Sequence, residues 1–378
     1  MFAKRSTDGA MRKAKGTSRV MRSCAIAVLE MLESRMLLSV TRIAAISDIG
    51  DNNTTDDGEW KVAQMIARWD APGSALDAII TSGDNYQGST APGDNTYYEW
   101  LGRWGYQRFV DQHRYYPSPG NHDWYAGNLD KYSAYFNYLE YPLGDPHYDE
   151  DYYCYDKVFG SAVHVFFVDS DDHDLGGNTP DSEQALWLRD KLAVSTTPWN
   201  IVVFHHPPYT SGLSHTPSAN MAWPFKDWGA DAVITGHVHN YERFSIDGLP
   251  YFVNGVGGHE NNVAFEYPPA TASLLRDNGH FGGILITADE STISFNYITT
   301  DGTIDTPRDT VTLTEPTPTS VTLSAKGEAW TYFHPYDNTD STHANPGNVN
   351  GHYYDQDFYT TWFTSNDYSA DARDDRVA

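Results

Sequence analysis

The sequence predicts a mixed α/β domain, and three observations support this fold class. Apolar runs of strand length alternate with amphipathic segments of helical spacing over the first two thirds of the chain. Five of these runs are followed within a few residues by Asp, Asn or His. Later apolar runs follow one another in the manner of antiparallel strands. These later runs are Pro250 to Val256, Gly283 to Ile286, Ser291 to Ile298 and Thr310 to Leu313.

Two segments between the apolar runs predict helices. The first is Asp57 to Trp69, whose apolar side chains lie on or near one stripe of a helix. These side chains are Trp60, Val62, Ala63, Met65, Ile66 and Trp69. The second is Glu183 to Leu192, which follows a polar start, Thr179 to Ser182, that can cap its N-terminus.

The five apolar runs that end in polar residues predict one shared site. They are Ile43 to Ser47 before Asp48, Ala78 to Ser82 before Asp84, Tyr115 to Pro119 before Asn121, Ile201 to Phe204 before His205, and Asp231 to Thr235 before His237 and His239. Side chains at i and i+2 of an extended segment lean to the same side, so we expect His237 and His239 to face one cluster. Oxygen and imidazole groups that meet at one sheet edge indicate a metal site.

These segments resemble, in the same order, the motifs of the calcineurin-like metallophosphoesterases, which read D-x-(G or H), GD, GNH(D or E), H and GHxH. The resemblance covers roughly Thr41 to Leu313. Within that superfamily the chain is most similar to purple acid phosphatases, because it has Asp48-Ile49-Gly50 and the stretch GHVHNYER at Gly236 to Arg243. The resemblance implies two packed mixed β-sheets flanked by helices, followed here by a short C-terminal β-rich segment.

The resemblance also implies two metal ions and their ligands. Asp48 and His239 would bind the first ion, and Asn121, His205 and His237 the second. Asp84 would bind both, because two cations a few ångströms apart repel unless an anionic ligand lies between them. Iron with zinc, manganese or a second iron suits these ligands. Each residue taken alone also has a structural interpretation, as a turn former, a cap or a hydrogen-bonded imidazole.

One family position differs in this chain. Purple acid phosphatases have a tyrosine three residues after the bridging aspartate, where the phenolate binds Fe(III) and gives the colour, but here that position is Gln87. Tyr86 comes one residue early. It binds a metal if the loop from Asp84 to Gly88 is remodelled, and otherwise it packs in the protein.

Three further residues are catalytic candidates. His122 occupies the GNH position, where the imidazole contacts the phosphate or the leaving group, and Asp123 can orient that ring. His215 follows His205 by ten residues, in a region where relatives carry substrate-binding histidines. We expect His206 to point away from the metals, because alternation places it on the opposite side from His205.

Other residues near the motifs have supporting roles in this interpretation. Glu242 and Arg243, which follow Tyr241, are expected to form a pair that braces the loop after the ligand histidines. Trp124 and Tyr209 are candidates for a pocket wall or for the core.

Composition excludes some partners. The formal net charge of -26 argues against nucleic acid or an anionic membrane as a partner. Cys24 and Cys154 are the two cysteines, so neither a disulfide framework nor a thiolate metal site is expected. No stretch has the length and apolarity of a transmembrane helix.

The two ends of the chain differ from its centre. Residues 1–40 combine basic residues with the short apolar stretch Cys24 to Leu29, which resembles an export signal, although a disordered basic tail is the alternative. Leu32 to Ser39 resembles the LEPR-XLL segment of exported bacterial proteins. Residues 314–320 predict a linker after the domain at 41–313, and residues 321–378 predict a partial β-sandwich.

The sequence therefore predicts an exported or cell-surface phosphomonoesterase that hydrolyses small organic phosphate esters with a metal-activated hydroxide. A phosphodiesterase of the same superfamily is the alternative enzyme. A surface binding module is the alternative from another class, with a vestigial metal site and a C-terminal segment that contacts a cell surface or carbohydrate.

Overall fold

The structure is a computed structural model that describes residues 40–49, 58–139, 153–259, 263–302 and 306–315, together with the backbone of 319–325 and 328–334. The chain divides into two units, Met1–Thr314 and Glu315–Ala378. The first unit carries all of the predicted site residues.

Thirteen strands and six α-helices are described in the first unit. The strands are β1 (Thr41–Ile46), β2 (Ala78–Ser82), β3 (Tyr115–Ser118), β4 (Tyr155–Phe159), β5 (Val163–Phe167), β6 (Trp199–Val203), β7 (Ala232–Thr235), β8 (Tyr241–Ile246), β9 (Leu249–Asn254), β10 (Ser273–Asp277), β11 (Gly282–Ala288), β12 (Thr292–Thr299) and β13 (Asp309–Thr314). The helices are α1 (Gly58–Trp69), α2 (Thr96–Trp104), α3 (Gln107–Asp111), α4 (Asp130–Tyr135), α5 (Glu183–Val194) and α6 (Phe225–Trp228).

The strands form two mixed sheets, which confirms the predicted fold class. The first sheet has the order β13-β12-β11-β1-β2-β3, and the second has the order β10-β8-β9-β7-β6-β5-β4. Strands β1, β2 and β3 are parallel to one another, as are β5, β6, β7 and β9. The carboxyl ends of parallel strands lie at one edge of a sheet, so the residues that follow them are brought together.

The main hydrophobic core combines residues from both sheets. In β5, Val163, Val165 and Phe167 belong to this core, whereas Phe166 belongs to a second apolar cluster that includes Trp187 of α5. This division follows from the alternation of side chains along a strand. Both faces of β5 are therefore buried, as expected for a parallel strand covered by a helix.

The predicted helices are present, with small differences. Helix α1 is described from Gly58, and Asp57 of the predicted helix lies outside the described residues. Its Trp60 is 54% exposed, outside the buried stripe that contains Val62 and Ile66. Helix α5 begins after Ser182, whose hydroxyl accepts a hydrogen bond from the amide of Ala185. The predicted N-terminal cap is thus confirmed.

The strands differ more from the sequence interpretation. Strand β9 pairs antiparallel with β8 but parallel with β7, so it is not part of a purely antiparallel run. Strands β4, β5, β8 and β10 had no predicted counterpart. Whether such short segments form strands depends on the strands they pair with, and the local sequence does not identify these.

The second unit contains an antiparallel pair, β14 (Thr319–Ala325) and β15 (Glu328–His334). The predicted strand Val321 to Ser324 lies within β14. The N-terminal segment 1–39 and residues 335–378 lie outside the described residues, so the predicted export segment and partial β-sandwich stay predictions. Among the described residues, no helix has the length and apolarity needed to cross a bilayer.

Candidate metal centre

The predicted ligands converge at the carboxyl edge of both sheets. Strands β1, β2 and β3 end immediately before the segments that carry Asp48, Asp84 and Asn121. In the second sheet, β6 and β7 end before His205 and His237. The five ordered motifs of the sequence therefore meet in one place because of strand direction.

Three of the predicted ligands have a backbone in the left-handed region. The φ angles are 55° for Asp48, 50° for Asp84 and 68° for His237. Non-glycine residues in this region are uncommon, and each costs on the order of 1–3 kcal/mol, so they persist where the surrounding structure holds them. Here the parallel strands end in tight turns that aim the side chains into the centre.

Glycines in the motifs let backbone segments approach these ligands. A Cβ atom on Gly83, which has a φ of 92°, would lie 2.3 Å from Nδ1 of His205. A Cβ on Gly120 would lie 2.3 Å from both the backbone nitrogen and Oδ1 of Asp84. The glycines of the GD and GNH motifs thus leave room for the side chains of neighbouring motifs.

Gly120→Ala should therefore disturb the centre, although it replaces none of the proposed ligands. The added methyl group has to displace Asp84, so we expect metal affinity to fall by about 10- to 100-fold, as for residues that orient ligands. A metal titration of the purified variant measures this. Gly102→Ala is the matched control, because a Cβ on Gly102 in α2 meets nothing within 4 Å. Equal metal affinity in the two variants would contradict the role given to Gly120.

His205 is surrounded by oxygen atoms. Its Nδ1 lies 2.8 Å from the carbonyl oxygen of Ser82, which only accepts, so Nδ1 carries the hydrogen. Its Nε2 lies 3.0 Å from Oδ1 of Asn121 and 3.2 Å from Oδ2 of Asp84. A lone pair facing two oxygens is stable only when a proton or a cation lies between them.

The second aspartate is arranged in a similar way. Oδ1 of Asp48 lies 3.3 Å from Nε2 of His239, and Oδ2 accepts a hydrogen bond of 3.1 Å from the backbone nitrogen of His237. Ser47 also donates to Oδ2. Asp48 is fully buried, so its charge requires close positive or donor groups.

The pKa values of the histidines and aspartates also indicate that the buried carboxylates are stabilised by positive charge. Burial lowers the pKa of His205, but Asp84 and Asp48 outweigh burial and raise this pKa to about 10. Burial raises the pKa of Asp84, but His205 and His122 reverse the effect and hold it well below its usual range. Burial and the neighbouring His205 lower the pKa of His237, which favours its neutral, ligating form. The centre thus combines ionised carboxylates with a neutral imidazole.

This donor set fits metal ions. The ligating atoms of Asp48, Asp84 and His205 all lie within 4.8 Å of one another, and so do those of His205, His206 and His237. The two groups share His205, so they are adjacent. Carboxylate and imidazole groups without thiolate suit iron, zinc or manganese.

Tyr86 and Gln87 point in different directions. The ring of Tyr86 packs edge-on against Trp100, at a centroid distance of 5.0 Å, and its hydroxyl faces Thr90. This placement gives its predicted metal ligation no structural support. Gln87 instead faces the centre, where Nε2 lies 3.1 Å from Oδ1 of Asp48 and 3.0 Å from Oδ2 of Asp84.

His122 lies at the centre, but Asp123 does not orient its ring. Nδ1 of His122 lies 2.9 Å from the carbonyl oxygen of Gly88, and Nε2 lies 3.9 Å from Oδ2 of Asp84. The backbone nitrogen of His122 donates to Oδ1 of Asp84. The carboxylate of Asp123 is buried and accepts hydrogen bonds from Gly120, from Asn85 in the segment after β2, and from the hydroxyl of Tyr97 in α2.

The two histidines of the GHVH motif reach the centre by a turn rather than by extended alternation. Strand β7 ends at Thr235, and His237 has a left-handed backbone. The amide of Val238 donates to Gly236, and that of Asn240 donates to Val238. The convergence predicted for His237 and His239 is present, but its predicted cause is wrong.

The predicted direction of His206 is also wrong. Its ring centroid lies 4.4 Å from that of His237, and its Nδ1 lies 2.9 Å from the hydroxyl of Ser170. Strand β6 ends at Val203, so alternation no longer applies to His205 and His206. His206 therefore faces the same region as the predicted ligands.

A cavity of about 490 Å³ opens beside the histidines. His206, His215 and His237 line one part of it, and the ring centroid of His215 lies 4.0 Å from that of His237. Acidic residues Asp171 and Asp172 line another part. The described lining residues are Ser170, Asp171, Asp172, His173, His206, Ser214, His215, Thr216, Pro217, Ser218 and His237. Neither Lys nor Arg occurs among them.

Supporting residues partly differ from the sequence interpretation. Arg243 pairs with Asp309, at 2.5 Å between Nε and Oδ2, instead of with Glu242. Adjacent residues of a strand point to opposite faces, and Glu242 accepts hydrogen bonds from Ser211 and Ser273. Glu242 thus braces the loop that leads to His215.

Trp124 and Tyr209, the aromatic candidates for a pocket wall, pack against neighbouring side chains. Trp124 is buried in the core and donates from Nε1 to Asp169. Its ring stacks on His173, which lines the cavity. Tyr209 packs edge-on against Tyr251.

Sequence reasoning missed two parts of the site. The ring centroid of His259 lies 4.2 Å from that of His239, although His259 follows no predicted motif strand. The segment Ser170 to His173 lines the cavity after β5, a strand that the sequence did not predict. The polar residues after Val168 were the available signal for this segment.

Comparisons with known proteins agree with this geometry. The sequence model of the calcineurin-like phosphoesterases matches residues 41–241. Probable purple acid phosphatase 20 of Arabidopsis thaliana is 27% identical over 299 residues, which cover 70% of this chain and 64% of that protein. An acid phosphatase of Aspergillus ficuum is 27% identical over 298 residues, which cover 66% of this chain and 47% of that protein.

The fold is similar to that of purple acid phosphatase PPD1 from yellow lupin (Lupinus luteus) seeds, with a TM-score of 0.53 and 20% identity. The similar region covers 73% of this chain and 54% of that one. The match thus spans less than two thirds of the length of each of these relatives. The family model nevertheless covers more than half of the 378 residues and includes all five strand-terminal segments of the centre. The chain belongs to the calcineurin-like phosphoesterase family, and purple acid phosphatases are among its relatives.

Proposed function

We propose that this chain is a binuclear-metal phosphomonoesterase of the purple acid phosphatase type that hydrolyses small organic phosphate esters. The convergence of six oxygen and imidazole side chains beside an open cavity supports this proposal most directly. The six residues are Asp48, Asp84, Asn121, His205, His237 and His239. No thiolate is among them, so the ions we propose are iron, zinc or manganese.

These residues would hold two ions, with Asp84 as a ligand of both. Oδ2 of Asp84 lies 3.2 Å from His205 on one side and 3.0 Å from Gln87 on the other, so it lies between the two halves of the centre. Bound ions would supply positive charge to the phosphate oxygens and lower the pKa of an attacking water toward neutrality. The protein supplies the orientation of the ligands through the strained turns at Asp48, Asp84 and His237.

His122 is proposed to protonate the leaving alkoxide. Its Nδ1 donates to the carbonyl of Gly88, which leaves Nε2 to face the centre. Its ring is 20% exposed, so a substrate can reach it. In the protonated form Nε2–H can donate to a departing oxygen, and in the neutral form it can accept. The contact with Gly88 holds the ring in the required orientation.

His215 is proposed to bind the phosphate or the alcohol part of the substrate. It lines the cavity and lies against His237, on the opposite sheet from His122. The loop that carries it is held by the hydrogen bonds between Ser211 and Glu242. The substrate would therefore lie between histidines from both sheets.

The acidic part of the cavity predicts a preference among alcohol groups. We place the part of the substrate beyond the phosphate in this cavity, which Asp171 and Asp172 line. An anionic group there would be repelled, and a cationic one would be attracted. We expect 4-(aminomethyl)phenyl phosphate to be hydrolysed with a higher kcat/KM than 4-carboxyphenyl phosphate.

Asp172→Asn should reduce this preference by about two- to fivefold, the range for an exposed charge interaction. The effect should shrink as salt is added. The kcat/KM ratio for the two substrates, measured in both proteins at low and high salt, tests this. Asp190→Asn, on the exposed surface of α5, is the control. An unchanged ratio in Asp172→Asn would remove the proposed role of the acidic wall.

The experiment that tests the function compares p-nitrophenyl phosphate with bis(p-nitrophenyl) phosphate. Initial rates are measured from pH 4 to 10 on protein of assayed metal content. A monoester-to-diester ratio well above one is the expected result. A ratio below one would favour the phosphodiesterase, and no turnover of either ester by fully metallated protein would favour the binding module.

Export and surface contact are separate proposals. The basic segment and the LEPR-XLL-like stretch at residues 1–40 support an exported protein. The aromatic-rich segment Trp330 to Trp362, within residues 321–378, supports a contact with a cell surface or carbohydrate. N-terminal sequencing of the protein after expression in a bacterial host tests the first proposal. Protein that retains Met1 and is found only in the cell-associated fraction would contradict export.

A further inference from the structure

Gln87 lies in the middle of one half of the proposed metal centre. Its side chain is buried, at 4% exposure. Nε2 lies 3.1 Å from Asp48, 3.0 Å from Asp84 and 3.5 Å from Nε2 of His239. These three partners are the residues proposed to bind the first ion, so the carboxamide is directed at the same point as they are.

The other end of the carboxamide has no such contacts. Oε1 of Gln87 is buried and has no hydrogen-bond partner among the described residues. Buried amide oxygens are nearly always paired, because leaving one unpaired forfeits its hydration. An unpaired acceptor beside two carboxylates and an imidazole therefore requires an explanation.

A rotation of the terminal amide by 180° exchanges the positions of Oε1 and Nε2. With two carboxylates alone, the NH2 group is the end that belongs between them, because it donates to both. With a cation held by the same carboxylates, the positive NH2 end is repelled, and the oxygen end is attracted. Carbonyl oxygens are ordinary ligands of hard divalent cations. The same side chain can therefore donate hydrogen bonds from Nε2 to the carboxylates when no cation is bound, and bind a cation through Oε1 when one is.

We propose that Gln87 is a ligand of the first metal ion through Oε1, and that its neutral carboxamide makes this position selective for a divalent ion. This inference rests on the metal centre of the proposed function. Asp48 and Asp84 supply two negative charges, and a carboxamide adds none, whereas a phenolate would add a third. Tyr86 does not compensate, because its ring packs on Trp100 and its hydroxyl faces Thr90.

Two variants of Gln87 separate ligation from hydrogen bonding. Gln87→Leu removes the oxygen, and we expect it to weaken Zn²⁺ at one of the two positions by about 10- to 100-fold while the other keeps its affinity. Gln87→Glu keeps an oxygen of the same reach and adds a charge. It should bind Zn²⁺ at least as tightly as wild type and shift the preference toward Ga³⁺, a trivalent ion without redox chemistry. Tyr86→Phe is the matched control and should bind as wild type does.

Competition titrations with a chromophoric chelator measure these affinities, and circular dichroism checks that each variant is folded. If Gln87 only donates hydrogen bonds to the carboxylates, Gln87→Leu should bind Zn²⁺ unchanged or more tightly, and that result would overturn the inference. Weaker binding of Zn²⁺ by Gln87→Glu than by wild type would also overturn the inference. Glu and Gln have nearly the same shape, so this variant is expected to fold, and circular dichroism identifies a sample that has not.

The colour of the iron-loaded protein gives a second test. Fe(III)-loaded wild type should show no phenolate charge-transfer band. A band that disappears in Tyr86→Phe would assign ligation to Tyr86 and refute the role of Gln87. If wild type binds no metal at all, the metal centre of the proposed function fails. If wild type binds two ions and Gln87→Leu binds both with unchanged affinity, only the present inference fails.

Discussion

Replacing Asp84 by Asn should lower phosphate release from p-nitrophenyl phosphate by more than 100-fold. Residues that only orient a metal ligand cost about 10- to 100-fold when they are removed, and Asp84 contacts both halves of the centre itself. Asn keeps the shape of the side chain and the acceptor for the backbone nitrogen of His122. It removes the negative charge that two neighbouring cations require. The change therefore tests charge at the shared position and not volume.

The assay combines kcat with the metal content of the variant. Asp77→Asn is the control, because Asp77 precedes β2 at the opposite end of the strand from Asp84 and is exposed. We expect full turnover and two bound ions in Asp77→Asn. Turnover near that of wild type in Asp84→Asn, with two ions still bound, would contradict both the bridging role and the proposed mechanism.

His122→Asn should lower kcat by about 10²- to 10⁴-fold for an alkyl phosphate, the range for loss of a general acid. The loss should be much smaller for p-nitrophenyl phosphate, because its phenolate leaves without a proton. Asn can retain a hydrogen bond to the carbonyl of Gly88, but it cannot transfer a proton. The dependence of the loss on the leaving group separates proton transfer from a general loss of structure.

The measurement is a plot of log kcat against the pKa of the leaving alcohol for wild type and variant. A steeper negative slope in His122→Asn is the expected result. His113→Asn, at the amino end of β3 and therefore on the other edge of the sheet, is the control and should follow the wild-type line. Parallel lines for His122→Asn and wild type would assign His122 to phosphate binding.

The mixed α/β class and the meeting of the five motif segments could be predicted because each depends on short-range information. Strand-like runs end in Asp, Asn or His, and parallel strands place their carboxyl ends at one edge. The capped helix α5 and the buried stripe of α1 follow from local spacing in the same way. Strand β5 was not among the predicted strands, and the cavity segment Ser170 to His173 after it was missed for that reason.

The directions of individual side chains were less predictable. Alternation gave the wrong direction for His206 and the wrong cause for the convergence of His237 and His239, because β6 and β7 end before these residues. The pairing of Arg243 with Asp309 joins residues 66 positions apart. A local sequence pattern does not identify a partner at that separation.

The sequence by itself determined which chemical groups this protein places at its sheet edge, since five ordered segments supply carboxylate, amide and imidazole side chains. Only the tertiary structure decided which of them face one another. Left-handed turns at Asp48, Asp84 and His237, and close packing around Gly83 and Gly120, direct the ligands inward, turn Tyr86 away and bring Gln87 between the two aspartates. These outcomes depend on atoms from both sheets within a few ångströms of one another, which is a property of the packed structure and not of any one segment.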